Sequence, residues 1–248
     1  MAEATRRLPG LQPLEPGADW LARDEAFEGQ MAVRDQLVSS QRAAVLAQEP
    51  GAEGALAELY AEVLRGLRGC DGYDWGVGLC RRPDGVEVRL DRADPLGTLA
   101  RLVQQDLCLL EKRGAEHVLT AAALCFPASW SLEEKIGRPL SVIHGPVVEY
   151  DAQMARRVQR VFDHLQDGRP VWRQNALIYD DPALFQPRRM DARRAPPRQE
   201  AYLRSERQTL LRLAESRAIV FVIHTYVVPM AALSSAQRAG LADVPRVT

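Results

Sequence analysis

The sequence predicts an α+β fold, in which a largely antiparallel β-sheet with short helices between its strands follows a helical N-terminal region. Two observations support this prediction. Apolar residues recur at helical spacing before Gly69, whereas short segments with strand-like composition predominate after it. In addition, segment 218–228 is apolar on both faces apart from His224, Thr225 and Tyr226, which is typical of a strand in the interior of a sheet.

The first region, residues 1–68, is predicted to be extended at first and then helical. A first helix is expected over residues 24–47, because its apolar residues roughly follow helical spacing. Pro50, Gly51 and Gly54 interrupt the pattern after this helix. The apolar stripe of a second helix consists of Leu56, Leu59, Tyr60, Val63, Leu64 and Leu67.

The second region, residues 69–248, is predicted to form the sheet domain. Its strands are expected at residues 74–80, 86–90, 106–111, 117–126, 169–179 and 218–228. Helices are expected at residues 95–105, 131–136, 151–165 and 199–213. Ser131 and Glu134 match a capping box at the start of the second of these helices. The Pro- and Arg-rich residues 186–198 are expected to be a loop.

Composition restricts the classes of function. With 248 residues, 46% hydrophobic and 26% charged, the chain is an ordinary globular protein of one sizeable or two small domains. It has no apolar run of about 18 residues, so no membrane span is expected. A net charge of −1 gives no reason to expect nucleic-acid binding. Residues 1–10 lack the apolar core of a signal peptide, and we therefore expect a cytoplasmic protein.

The cysteines and the common catalytic motifs are also informative. None of the four cysteines forms a C-x-x-C pair, so a zinc or iron–sulfur site within the chain is not expected. In a cytosolic protein, they are expected to be reduced and buried thiols. The sequence contains no phosphate-binding glycine loop, no nucleophile elbow and no metalloprotease motif.

His144 is the first candidate site residue. It lies in Ile143-His144-Gly145-Pro146, where the glycine removes side-chain bulk beside the imidazole and the proline fixes the following backbone. A flat macrocycle could approach such a position closely, with the imidazole as its axial ligand. A histidine that caps a turn explains the same residues. The pattern by itself favours that second interpretation.

His224 is the second candidate, because it interrupts an otherwise apolar strand. Strand alternation places it on the same face as Val220, Val222 and Tyr226. A buried polar side chain needs a partner or a ligand. A histidine satisfied within the core and a histidine that faces a pocket both fit this position.

Glu206 is the third candidate. On the helix predicted at 199–213, it would lie on the inward stripe between Leu203 and Leu210. A carboxylate in that position is either paired or part of a site. The arginines available for pairing are Arg204, Arg207 and Arg173.

Several collinear segments resemble one protein family. They are residues 10–14 with Asp19-Trp20-Leu21, 105–110, 125–127 with Trp130, Glu134-Lys135-Ile136-Gly137-Arg138-Pro139-Leu140, Ile143-His144-Gly145-Pro146-Val147, 182–187, 203–210 and Thr225-Tyr226. In these segments, which extend roughly from residue 10 to residue 235, the chain resembles the haem-dependent oxidative N-demethylase family.

The resemblance implies a PAS-like fold that holds haem b. It also implies oxidative demethylation of a small amine with dioxygen, as carried out on dimethylamine by the haem-bearing α subunit of this family. Electrons would come from NADPH through separate flavin and iron–sulfur components, so reductase subunits are the expected partners. No nucleic acid and no membrane are implied.

The resemblance also assigns roles to individual residues. His144 matches the histidine of the family's I-H-x-P-V motif and becomes the candidate proximal ligand of the iron. Arg204 or Arg207 would pair with a haem propionate, and Arg173 is a further candidate for cofactor binding. Glu206 would polarise the distal site or bind an amine cation.

Three polar residues, His224, Tyr226 and Glu206, are expected near the open iron position, because periodicity turns each of them inward. The chain also departs from the family pattern here. His224 stands where the family usually has arginine, and Asn175-Ala176-Leu177 stands where the family tends to have N-W-S. An imidazole in place of a permanent cation would change the polarisation of oxygen and the choice of substrate.

Two alternatives to an enzyme remain at this point. Because PAS folds commonly act as sensors, the chain could be a haem-based gas or redox sensor without turnover. It could also be a scaffold that binds no haem. An absorption spectrum separates the scaffold from the other two, and turnover with a reductant separates the enzyme from the sensor.

Overall fold

A computed structural model of the chain describes residues 10–15, 19–145, 151–192 and 197–241. Its largest element is a seven-stranded antiparallel β-sheet. In spatial order, its strands are β1 (Gln12–Pro13), β8 (Val171–Tyr179), β9 (Tyr202–Arg212), β10 (Ile219–Pro229), β6 (Asp106–Arg113), β7 (Glu116–Ala123) and β2 (Leu46–Gln48). A second sheet contains β3 (Asp74–Gly76), β4 (Leu79–Arg81) and β5 (Glu87–Arg89).

Short helices connect and cover these strands. They are α1 (Phe27–Ser40), α2 (Arg42–Val45), α3 (Glu53–Leu67), α4 (Pro95–Leu102), α5 (Leu132–Lys135), α6 (Leu140–Ile143), α7 (Ala152–His164) and α8 (Ser235–Ala239), with a 3-10 turn at Met230–Ala232. None of the helices in the described ranges is long and apolar enough to cross a membrane.

The predicted α+β fold is confirmed. Strand β10 lies between β9 and β6, so the prediction that segment 218–228 is an interior strand is also confirmed. The five long strands lie in the order β7-β6-β10-β9-β8, which is 2-1-5-4-3 when counted from β6. This single antiparallel sheet agrees with the PAS-like architecture that the family resemblance implies.

The main sheet separates two hydrophobic cores. One face packs against α1, α3 and α4, and the core between them includes Leu99, Val220 and Val222. The other face packs against α5, α6 and α7, and its core includes Phe162 and Ile223. Because successive residues of a strand point to opposite faces, neighbouring residues of β10 serve different cores.

Segment 199–213 is not the helix that the sequence analysis predicts. It forms strand β9, which pairs with β8 on one side and with β10 on the other. The spacing of Leu203, Leu210 and Leu213 fits a helix, yet the two neighbouring strands hydrogen-bond the backbone from both sides. The prediction is wrong because this pairing is non-local and leaves no trace in the local periodicity.

Two other predicted elements differ over part of their length, and one predicted capping box is absent. The first helix ends at Ser40, and Leu46–Gln48 become strand β2 because they pair with β7. The strand predicted at 74–80 is a hairpin of β3 and β4, with Gly78 at a φ of 69° in its turn. The capping box is not formed, since the Ser131 hydroxyl donates to the Glu134 carboxylate at 3.2 Å instead of capping α5.

The main sheet includes strands from both predicted regions. Strands β1 and β2 precede residue 69, and they pair with β8 and β7. The division into residues 1–68 and 69–248 stays a prediction about organisation. The four cysteines are unpaired thiols. Cys80, Cys108 and Cys125 are buried, as expected, whereas Cys70 is only half-buried.

A buried ion pair joins the first helix to the main sheet. Arg34 of α1 and Asp106 at the start of β6 are both fully buried, with 2.7 Å between Nη1 and Oδ1. The Arg34 Nε also donates to the carbonyl of Ala100 in α4. The Asp106 carboxylate accepts hydrogen bonds from the backbone N–H groups of Cys125 and Phe126, at 2.7 and 2.9 Å. The pair therefore fixes α1, α4, β6 and the segment after β7 relative to one another.

We expect Asp106→Asn to lower the free energy of unfolding by about 3–5 kcal/mol, because it leaves the buried Arg34 charge uncompensated. Urea unfolding followed by circular dichroism measures this difference. Arg81→Met is the control, since it breaks the exposed Arg81–Glu87 pair and should cost at most about 1 kcal/mol. Equal losses in the two variants would contradict a special role for the buried pair.

Candidate functional site

A cavity of about 520 Å³ lies on the face of the main sheet that α6 and α7 cover. Its volume is in the range of sites for cofactors and small molecules. The walls are mostly apolar and include Leu140, Val158, Phe162, Leu210 and Phe221. The polar residues that line it are Ser129, Lys135, His144, Arg173, Asn175, Arg188, Arg189, Glu206 and Gln208.

Strand alternation selects the residues of the sheet that reach this cavity. Arg173 and Asn175 of β8, Glu206 and Gln208 of β9, and Ile223 of β10 all line it. Asn175 is the direct neighbour of Glu206 in the ladder. The sheet therefore presents one row of polar groups to an otherwise apolar cavity.

His144 lies at the C-terminal end of α6 and lines the cavity. Its Nδ1 is 3.0 Å from the carbonyl oxygen of Leu140. Because a carbonyl only accepts, Nδ1 carries the proton and Nε2 carries a lone pair. Burial, with the positive charges of Lys135 and Arg173, holds the pKa of His144 below its ordinary value. The imidazole is therefore neutral at pH 7 and suited to bind a metal through Nε2.

The glycine after this histidine has a local structural explanation. A Cβ at Gly145 would lie 3.3 Å from the carbonyl oxygen of Val142, closer than side chains normally allow. The residue therefore completes the turn that ends α6. Pro146 and Val147 of the same motif lie outside the described residues.

Lys135 supports the end of α6 from the neighbouring short helix. Its Nζ donates to the carbonyl oxygen of Ile143 at 2.6 Å and lies 5.5 Å from the centre of the Trp130 ring. Burial lowers the pKa of Lys135. This contact holds the residue that precedes His144, and the sequence analysis did not identify it.

Glu206 brings a carboxylate to the cavity. Its Oε2 accepts hydrogen bonds from the side-chain amides of Asn175, at 3.2 Å, and Gln208, at 3.0 Å. Its Oε1 lies 3.8 Å from the Nε of Arg204. Glu206 is only 7% exposed, so these contacts fix the orientation of a nearly buried carboxylate.

Arg173 and Arg188 bring guanidinium groups to the same cavity. The Nε of each is buried and has no hydrogen-bond partner. Burial lowers the pKa of Arg173, and the charge of Glu206 opposes that effect. Unpaired buried donors of this kind are costly unless a ligand satisfies them.

The two other predicted cofactor-binding arginines do not line the cavity. Arg204 is 2% exposed and donates to the carbonyl oxygens of Phe126 and Leu184, at 2.7 and 3.0 Å. It therefore ties together two segments at the edge of the cavity. Arg207 lies on the opposite face of β9, where it donates to the carbonyl of Asp19.

His224 and Tyr226 also lie on the opposite face of the sheet from the cavity, with Val220 and Val222. The two rings contact each other, with 4.6 Å between their centres. The structure does not bring them together with Glu206. Successive residues of a strand point to opposite faces, and on β10 it is Phe221 and Ile223 that point to the cavity. The structure therefore places His224 and Tyr226 outside this cavity, and their place beside an open iron position stays a prediction.

His224 is instead part of a buried polar network. Its Nε2 lies 3.0 Å from Oδ2 of Asp24, and its Nδ1 lies 2.8 Å from the amide nitrogen of Gln105. Gln104 also donates to Asp24, at 2.6 Å. Burial raises the pKa of Asp24, but the hydrogen bonds from His224 and Gln104 outweigh it and lower the pKa overall. Both ring nitrogens of His224 therefore have partners within the protein.

The sequence analysis missed several polar groups of the cavity. Asn175, Gln208 and Arg188 were not singled out, although a strand period over 171–179 and 202–212 places Asn175 and Gln208 beside Arg173 and Glu206. Arg188 belongs to a loop, and no periodic signal identifies it. Within the described ranges, no group of three His, Cys, Asp or Glu residues could hold a metal ion.

A comparison with protein families identifies one whose model matches almost the whole chain. The family is described as haem-dependent oxidative N-demethylase, alpha subunit-like, and it matches residues 10–245. The match includes the cavity residues His144, Arg173 and Glu206. It also includes the network around His224.

We expect His224→Leu to lower the free energy of unfolding by about 1–3 kcal/mol, because Asp24 and Gln105 lose a buried partner. Since the pKa of Asp24 is lowered in the folded state, the stabilisation is present above about pH 4 and is lost as the pH falls through the lower, folded-state value. The difference from the wild type, measured by urea unfolding, should therefore shrink on acidification. A difference that grows on acidification would contradict this role of His224.

Proposed function

The chain belongs to the family of haem-dependent oxidative N-demethylase, alpha subunit-like proteins, and on this premise we propose that it binds haem b in the cavity and oxidises a small amine with dioxygen. The observation that carries the proposal is the neutral, oriented imidazole of His144 at the wall of a 520 Å³ apolar cavity. The Asn175–Glu206 pair on the sheet adds a fixed anion to the same space.

The residues that line the cavity fit a haem group. Its mostly apolar walls suit a flat hydrophobic macrocycle. The Nε2 of His144 is suited to be the axial ligand, and the guanidinium of Arg173, whose Nε has no hydrogen-bond partner, is suited to a propionate. When bound there, haem would supply the iron centre at which dioxygen is reduced.

His144 would be held in place by the protein rather than by the iron alone. Its hydrogen bond to Leu140 fixes the tautomer and the plane of the ring. Lys135 holds the carbonyl of Ile143, the residue before it. A ligand fixed in this way loses little conformational freedom on binding.

Glu206 would recognise the substrate as a cation. Small alkylamines are protonated at neutral pH, and a nearly buried carboxylate attracts an ammonium group strongly because water does not screen it. Since Oε2 already accepts two amide hydrogens, we assign Oε1 to the ammonium proton. Transfer of that proton to Oε1 would leave the neutral amine next to the oxidising centre.

The walls of the cavity would exclude water and restrict the size of the amine. Leu177 lines the cavity at the position where the family tends to have serine, so this wall is apolar here. The overall reaction removes one methyl group: amine, dioxygen, two electrons and two protons give the demethylated amine, formaldehyde and water. The substrate class we propose is thus a small N-methylated amine.

The electrons would come from NADPH through separate flavin and iron–sulfur components in partner subunits. The family description names an alpha subunit, which supports the existence of such partners. We retain a cytoplasmic location as part of this proposal. An enzyme is favoured over a gas sensor because Glu206 gives the cavity a binding group for a charged substrate, which a sensor of a neutral gas does not need.

We expect His144→Ala to abolish the Soret band of the purified protein or to lower its haem occupancy sharply, because the axial ligand is lost. Absorption spectroscopy after reconstitution with haem measures this. His164→Ala is a matched control, since His164 makes the same hydrogen bond to the carbonyl four residues earlier but is exposed. Full haem occupancy with an unchanged spectrum in His144→Ala would identify another ligand.

We expect Glu206→Gln to retain haem but to weaken binding of dimethylamine about tenfold or more, because a charge-assisted hydrogen bond is lost. Spectral titration of the haem protein measures the affinity. Dimethyl ether is the neutral comparison, and its binding should not change. Glu133→Gln, at an exposed residue of α5, is the control variant. Equal effects on the amine and the ether would overturn the role of Glu206.

A further inference from the structure

Residues 187–190, which we call the strap, close one side of the cavity. Gln186, just before the strap, forms a bridge with Ala128 and receives a hydrogen bond from the backbone of Ser129. At the other end, the backbone N–H of Met190 donates to the Glu134 carboxylate at 2.9 Å. The strap is therefore held at one end by the segment that leads into α5 and at the other end by α5 itself.

The side chain of Arg188 points from the strap to the cavity. Its Nε is buried and has no hydrogen-bond partner, and no described residue forms an ion pair with it. Its neighbour Arg189 differs in this respect. Arg189 is 3.6 Å from the carboxylate of Glu134 and 3.5 Å from that of Asp191. The protein thus neutralises one arginine of the strap and leaves the other unpaired.

Arg173 on β8 resembles Arg188, since its Nε is also buried without a hydrogen-bond partner. The charge of Glu206 does not fully offset the effect of burial on Arg173. Burial still lowers the pKa of Arg173, and the nearest cation to Glu206 is Arg204, at 3.8 Å. Two guanidinium groups therefore face one cavity with no carboxylate assigned to either.

We propose that Arg188 and Arg173 together bind the two carboxylates of the ligand, Arg188 from the strap and Arg173 from the sheet. The ligand class is an apolar body that carries two carboxylates, and a dicarboxylic porphyrin belongs to this class. This inference rests on the proposed function, which supplies the porphyrin. It adds a strap residue to the cofactor site and assigns the strap a role in retaining the cofactor.

The chemistry of arginine suits this role. A guanidinium group presents several N–H donors in a fixed plane that matches a carboxylate. Leaving such a group unpaired in the unliganded protein costs free energy, and a carboxylate that pairs with it removes that cost. A lysine at either position would keep the charge but lose the bidentate geometry.

The test compares two iron-free ligands that do not depend on His144, protoporphyrin IX and its dimethyl ester. Their binding to the full chain is measured by quenching of tryptophan fluorescence, since Trp130 lines the cavity. We expect R188Q and R173Q each to weaken binding of the free acid about tenfold or more, and to leave binding of the diester unchanged. R188K should lie between R188Q and the wild type.

R156Q is the control, because Arg156 is an exposed residue of α7 and its loss changes the net charge equally. It should affect neither ligand. Without a ligand, R188Q should melt at the same temperature as the wild type or higher, because a buried Nε donor that has no hydrogen-bond partner is removed. A lower melting temperature with equal weakening of both porphyrins would make Arg188 a structural residue and overturn the inference.

The outcomes separate this inference from the proposed function. If the wild type binds the free acid and R188Q binds it equally well, the inference is overturned but the proposed function is not. Failure of the wild type to bind either porphyrin, together with the absence of a Soret band after reconstitution with haem, would overturn the proposed function and this inference with it.

Discussion

The buried ion pair between Arg34 and Asp106 is the contact on which the arrangement of the fold depends. It joins the helical layer to β6, and Asp106 also holds the backbone of Phe126 at the exit of β7. The carbonyl of Phe126 in turn accepts from Arg204, which lies beside Glu206. A continuous series of polar contacts thus extends from α1 to the wall of the cavity. Because each member is buried, the loss of one leaves others without partners.

The two faces of the main sheet differ in their surroundings: one packs against α1, α3 and α4, and the other lines the cavity. On the helical face, both ring nitrogens of His224 have partners within the protein, Asp24 and Gln105. On the cavity face, Arg173 and Arg188 have buried donors without partners. Polar groups that the protein satisfies contribute to stability, whereas polar groups that it leaves unpaired are available for a ligand. A buried donor without a partner does not by itself mark the site, since Nη2 of Arg34 in the helical layer also lacks one. The donors of Arg173 and Arg188 differ because they lie at a cavity that a ligand can enter.

The cavity also explains how one short helix can carry a functional residue. Helix α6 has only four residues, too few to be stable alone. Leu140 packs into the core beneath the sheet, and Lys135 holds the carbonyl of Ile143. His144 is therefore oriented by tertiary contacts on both sides. Its hydrogen bond to Leu140 then fixes which ring nitrogen carries the proton.

Local patterns in the sequence determined the α+β class, the interior position of β10 and the family, because two-sided apolar strands and long collinear motifs are local features. His144, Arg173 and Glu206 were also identified from the sequence, and they line one cavity. Only the tertiary structure decided that segment 199–213 is a strand, because its pairing partners are distant in sequence. It also decided that His224 and Arg207 face away from the cavity and that Arg188 faces into it. Packing between segments far apart in the chain determines which face of a strand a helix layer covers. It also determines the direction of a loop side chain.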